Sequence, residues 1–164
     1  VSPNKLHHLA LSAWKRRWPE ARLHAPPGLA RKMKGFRFDA ELGDEPDRQW
    51  IVDIDQVVFR GSFAMEEVVF FHRASRTAIF GDLIQRFPEA AATGWKGILL
   101  RLDDLVAPHG STPREWRLSF LSRDAARAAR QRVLDWKPER LLIAHGECVD
   151  SGATDVIAEA LRWI

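Results

Sequence analysis

Cysteine is nearly absent: Cys148 is the single one in 164 residues. No internal disulfide can staple the chain, which suits a reducing compartment, and a cytoplasmic location is expected. Long apolar runs are also missing. None approaches the ~18 residues that a membrane span needs. The opening Val1-Ser2-Pro3-Asn4-Lys5 lacks the charged start and apolar middle of a signal peptide. No membrane is therefore expected as a partner. There is no repeat, no low-complexity tract and no linker long enough to divide the chain, so one domain spanning 1–164 is expected. Strong charge is missing too, the net value being +3. Arg123, Arg127, Arg130 and Arg132 share one expected helix with Asp124 and Asp135. That mixture describes a solvated face better than the basic stripe of a nucleic-acid groove, so nucleic acid is disfavoured as a partner. The first residue is Val1 rather than Met, which fits a fragment, a processed product or an alternative start codon.

What is present is ordinary globular chemistry, with 46% apolar and 29% charged residues. A chain this long can bury roughly 70% of its unfolded surface. Ser2-Pro3 reads as a helix start, with Leu6, Leu9, Ala10, Ala13, Trp14 and Trp18 on one apolar face and Pro19 as the stop. A short strand is expected over 21–25, a turn at Pro26-Pro27-Gly28, a short helix over 29–34 and an extended stretch over 36–42. Residues 55–59, 67–71 and 77–80 are β-rich, the last two joined as a hairpin. Helices are expected over 94–105 and from a Ser122 cap to Trp136, the latter with Ala125, Ala129, Val133 and Trp136 inward. A strand over 141–144 follows, then a helix capped by Thr154 with Val156, Ile157, Ala160, Leu161 and Ile164 inward. The order is α/β with mixed strands.

Three polar segments stand out. Asn4-Lys5-Leu6-His7-His8 opens the first helix, Phe80-Gly81-Asp82 ends one hydrophobic strand and Ala144-His145-Gly146-Glu147 ends another. Polar residues directly after buried strands sit at a sheet rim, where α/β folds bind ligands. His7, Asp82 and His145 would make a two-His, one-carboxylate set suited to one divalent metal, zinc or iron. Each has a plainer reading. The histidines at 7 and 8 suit contacts within a helical turn, Asp82 suits its own turn's amides, and His145 suits a neighbouring carbonyl. Glu147 and His72 read as structural, and Cys148 as a small core residue. The seven tryptophans read mainly as core, with Trp95 and Trp116 placed to line a pocket.

Pro26-Pro27-Gly28-Leu29-Ala30, Gly81-Asp82-Leu83-Ile84 and Ala144-His145-Gly146-Glu147 resemble the metallo-β-lactamase fold. Pro3-Asn4-Lys5-Leu6-His7-His8, Glu67-Val68-Val69-Phe70-Phe71-His72-Arg73 and Ser75-Arg76-Thr77 resemble an uncharacterised branch of that superfamily, over nearly the whole chain. The resemblance implies mixed β-sheets flanked by helices, truncated before the first metal motif. An open sheet edge would follow, one that a second copy of the chain could cover. The family's first motif is His-x-His-x-Asp-His. Aligned on His7, this chain has Ser2, Asn4, Leu6 and His7 there, and Phe63 where the next metal histidine falls. In the resemblance Asp82 matches the bridging aspartate, and His7 and His145 match ligands of the second metal. The expectation is a degenerate centre holding one divalent metal or none, with Asp82 and Asn4 as catalytic residues and a small ester or carbonyl substrate. In that reading Asn4 steadies substrate or water, and Asn4 or His8 stands as a weaker fourth ligand or as a hydrogen-bond donor behind the ligands. Two alternatives stand beside it: a non-catalytic binding or scaffold domain that has lost the centre, and a nucleic-acid-processing enzyme.

Overall fold

The computed structural model describes residues 1–164. In chain order the elements are α1 (Leu11–Arg17), β1 (His24–Ala25), α2 (Leu29–Lys32), β2 (Ala40–Glu41), β3 (Ile54–Phe59), β4 (Glu67–His72) and β5 (Thr77–Ile79). They continue with β6 (Gln85–Arg86), α3 (Gly94–Leu102), α4 (Arg114–Leu118), α5 (Asp124–Asp135), β7 (Arg140–Leu142), β8 (His145–Gly146) and α6 (Ala153–Ala160).

The central sheet runs β3-β4-β5-β7. Strand β4 is the unbroken run Glu-Val-Val-Phe-Phe-His, buried along all but its last residue, as a strand covered on both faces requires. It pairs antiparallel with β3, Val57 opposite Val69, and with β5, Phe71 opposite Ala78. Strand β7 joins β5 in parallel, Ala78 opposite Leu141. On one face Val57, Phe59, Val69, Ala78 and Leu141 meet Ala126, Ala129 and Val133 of α5, and Ile157, Ala160 and Leu161. On the other, Val58, Val68 and Phe70 pack with Leu42. The two outer edges of this sheet are met from within. Asp44 accepts from the Val58 amide at 3.0 Å, and Val149 exchanges two backbone bonds with Leu141.

Several local readings are corrected. The first helix begins at Leu11, because Asn4 Oδ1 accepts the Leu6 and His7 amides at 2.9 and 3.2 Å. A side chain that satisfies nearby amides offers the backbone an alternative to a helical turn. The expected apolar face of that helix is consequently not a core face: Leu6, Leu9, Trp14 and Trp18 are exposed. Ser122 and Thr154 cap nothing. Arg123 and Gly152 precede the two helices, and the Thr154 hydroxyl donates to Pro138 O at 2.8 Å. Ala126, not Ala125, is the inward residue of α5. Cys148 is exposed rather than a core residue. Helix α4, unforeseen, occupies the segment after the Pro113 turn. The α5 arginines are structural clamps. Arg123, Arg127 and Arg130 donate to carbonyls of Trp163, Ile164 and Ala158, and Arg132 binds Asp55.

His24 is buried edge-on against Trp50, with Nε2 lacking any hydrogen-bond partner. Burial holds its imidazole below the ordinary histidine range, with Asp47 pulling the other way. The unfolded chain then binds the proton more readily than the native one. This contribution to stability is complete above the ordinary value of about 6.5 and is lost as pH falls through it. Urea titrations between pH ~5 and ~8 should show wild type losing stability on acidification relative to His24→Phe. Parallel profiles would contradict the assignment.

Candidate metal centre

The site is built where three chain segments meet the end of β4. Glu67, the first residue of that strand, is fully buried. Its Oε1 accepts the amides of Gly81 at 2.9 Å and Leu83 at 3.2 Å. Its Oε2 accepts the Asp82 amide at 2.7 Å and Asn4 Nδ2 at 2.8 Å. Four N–H groups therefore saturate one carboxylate, which is the condition for burying it. Burial pushes the Glu67 carboxyl up from its ordinary range, and the four donors pull it back. Gly81 is required by close approach: a Cβ there would lie 2.9 Å from Glu67 Oε2.

Asn4 is the hub. Its Nδ2 also donates to Asp82 Oδ2 at 2.8 Å, so one amide nitrogen bridges two carboxylates. Its Oδ1 orders the turn that carries His7, and the backbone of the N-terminal segment joins β4 through Val68 N to Pro3 O at 2.8 Å. The Ser2 hydroxyl sits 2.7 Å from Asn4 O and 2.5 Å from His7 O, closing the same turn. His145 arrives by a separate route. Strand β8 pairs in parallel with β6, His145 opposite Gln85. The next residue, Gly146, has φ +112°, and a Cβ there would overlap Arg86 O at 2.0 Å, so only glycine lets the two segments close.

The result is convergence on one oxygen. Asp82 Oδ1 lies 3.0 Å from His7 Nε2 and 2.8 Å from His145 Nε2. Ligand atoms of the three residues all lie within 4.8 Å of one another. A hollow of about 460 Å³ lined by Leu6, His7, Leu9, Ala10, Asp82 and His145 opens on one side. A second, of about 470 Å³, has Lys5, Phe63, Met65, Gln85 and Trp116 among its walls and also reaches Asp82.

The three sequence-nominated ligands are thus brought together. Asn4 is brought to the site but not to its surface: it is fully buried with both amide groups taken, so it holds Asp82 in place instead of meeting substrate or serving as a fourth ligand. His8 Nδ1 lies 3.0 Å from Leu6 O and stands outside the cluster. Glu147 faces Arg86, and His72 faces Ser75. Trp116 lines the second hollow, whereas Trp95 is exposed. Sequence reasoning missed Glu67. The sequence shows only an acid, after Glu66, opening an apolar strand, which does not mark it as buried.

Solved structures can now be set beside this geometry. A metallo-β-lactamase, DIM-1, exposed to ceftazidime superposes with a TM-score of 0.56 at 13% identity, over 96% of this chain and 61% of that one. A second DIM-1 structure gives 0.54 at 12%, over 94% and 63%. A metallo-β-lactamase from Pontibacter korlensis gives 0.55 at 13%, over 93% and 61%. The chain has the metallo-β-lactamase fold. It spans about three fifths of the length of these structures, and at such identity the likeness concerns fold alone. No protein-family model matches the sequence, and no curated protein does.

Glu67→Gln would turn an amide group toward N–H donors on every side. The expected loss is about 2–3 kcal/mol of stability. Chemical denaturation of both proteins reads this loss directly; equal stability would refute it.

Proposed function

We propose that His7, Asp82 and His145 bind one divalent metal ion, zinc or iron, and that the protein is a mononuclear metal-dependent hydrolase acting on a small ester or carbonyl substrate. The observation that carries this reading is the meeting of both imidazole Nε2 atoms at Asp82 Oδ1. The donor set fits the group. Two nitrogens and a carboxylate with one face open are what zinc or iron of catalytic type uses. The charge balance fits as well, since neither Glu67 nor Asp82 is paired with a lysine or arginine. A divalent ion would supply Lewis acidity toward a substrate oxygen and lower the pKa of a bound water toward ~7.

The chain's own residues do the rest. Asn4 fixes Asp82 Oδ2, which leaves Oδ1 to face the histidines. Such outer-shell bonds set ligand orientation and affinity. Leu6, Leu9 and Ala10 give one hollow an apolar wall. Phe63, Met65 and Trp116 offer apolar contact on the other side, with Lys5 and Gln85 as polar anchors. Asp82 lines both hollows, so a substrate in either meets the same carboxylate.

A second reading, a binding domain that has lost its centre, draws on Leu6, Phe63 and buried Asn4 at positions where the resembled family keeps ligands. Metal titration separates the two. Protein purified without chelator and supplied with zinc or iron should bind one ion per chain. Asp82→Asn and His145→Ala should each weaken binding by at least the 10–100-fold typical of outer-shell losses. A panel of activated esters should be hydrolysed by the loaded wild type and not by Asp82→Asn. Wild type that stays metal-free under these conditions would favour the second reading.

A further inference from the structure

Charge is distributed unevenly along the chain. Residues 1–38 carry nine lysines and arginines and one acid, Glu20. None of those nine makes an ion pair, whereas ten arginines elsewhere do. Arg16, Arg17, Arg22, Arg31, Lys32, Lys34 and Arg37 are exposed. Asp39 lies close enough to feel Lys15, Arg22 and Arg37, but no ion pair closes on any cation of this segment.

Apolar side chains are interleaved with these cations. Val1, Leu6, Leu9, Trp14 and Trp18 are all exposed, Leu9 to 89%. Helix α1 is held by Leu11 alone, its only buried residue. Trp14 and Trp18 stack at 4.5 Å, and the Arg17 guanidinium lies 5.2 Å over the Trp18 ring. Beside them is a hollow of about 370 Å³ with Val1, Leu11, Trp14 and Trp18 as apolar walls and Lys15 and Arg22 also lining it. Tryptophan and leucine amid lysine and arginine are the composition of a segment lying in a membrane interface.

We propose that the Leu6–Trp18 segment docks the protein peripherally on an anionic lipid surface. The tryptophans and leucines enter the headgroup boundary, and the unpaired cations meet lipid phosphates or carboxylates. A nucleic acid offers the same negative charge but has no use for the isolated aliphatic Leu9. The sequence argument against a membrane concerned spanning segments, and peripheral docking needs none. This inference does not rest on metal binding. Leu6 and Leu9 nonetheless line the hollow of the metal cluster, so docking brings that hollow to the lipid boundary.

The test is co-sedimentation of the full chain with vesicles of phosphatidylcholine alone or phosphatidylcholine with a quarter phosphatidylglycerol. Binding to the anionic vesicles should be at least tenfold tighter, should fall as salt shortens the screening length from about 10 Å toward about 3 Å, and should be accompanied by tryptophan quenching from brominated acyl chains. Trp14→Ser with Trp18→Ser, and separately Arg16→Glu with Arg17→Glu, should each lose tenfold or more, with unfolding temperature unchanged because every replaced side chain is exposed. Trp95→Ser, also exposed but outside the segment, should bind as wild type. Three results would each overturn the proposal. They are equal or absent binding to the two vesicle types, affinity for a homopolymeric RNA that survives the double tryptophan change while vesicles go unbound, and concentration-dependent self-association that shields Trp14 and Trp18 without lipid.

Discussion

A single carboxylate inside the sheet organises this end of the molecule. Glu67 sits where β4 begins, and nothing there is charged positively to offset it. A group so placed is tolerated only with its acceptor positions met. The chain meets them with three successive amides, 81 to 83, and the amide of Asn4. The turn after β5 is thereby wrapped around one side chain, and the Asp82 carboxylate is held beside Asn4. The N-terminal segment is tied down by the same contact, and His7 follows three residues after Asn4. One buried acid thus fixes two members of the cluster. The third, His145, depends on a different constraint, the glycine-only approach of Gly146 to Arg86.

This division explains what could be read in advance. The hairpin of β4 and β5 was visible because an unbroken apolar run and a polar turn admit few other arrangements. His7, Asp82 and His145 could be nominated because polar residues directly after buried strands gather at a sheet rim. Glu67 could not. An acid opening a strand usually faces water, and only the amides of a distant turn make it an interior group. The first helix failed for a related reason. Its three- and four-residue spacing is genuine, but the Asn4 side chain takes the amides that would have started it, and the apolar stripe finds no core to face. Helix caps were misplaced where Ser122 and Thr154 stood near a helix start but were not at it; the Thr154 hydroxyl serves Pro138 instead. Tryptophan at helical spacing was likewise ambiguous: Trp116 is buried, while Trp14, Trp18 and Trp95 are exposed.

The arginines of α5 carry a similar lesson. Their spacing on one helix describes a face and not its partner. Here that face meets the terminal turns of the chain, where unpaired carbonyls of Ala158, Trp163 and Ile164 accept the guanidinium protons. Carbonyls at a helix end attract cations on electrostatic grounds, so the cluster closes the C-terminal region onto the sheet's covering layer.

The departures from the resembled metal motif form a coherent set when taken with these contacts. Asn4 stands where that motif has a histidine. A histidine could not present two N–H bonds from one nitrogen, as Asn4 Nδ2 does toward Glu67 and Asp82. The asparagine therefore turns a position that would hold a metal into one that joins two carboxylates through a neutral donor. Asp82 Oδ2 is bound on the Asn4 side, and Oδ1 is left to the two imidazoles. Two adjacent carboxylates with no lysine or arginine between them favour a cation at the open oxygen. The departure from the resembled motif at this position is thus also the contact that orients the Asp82 carboxylate.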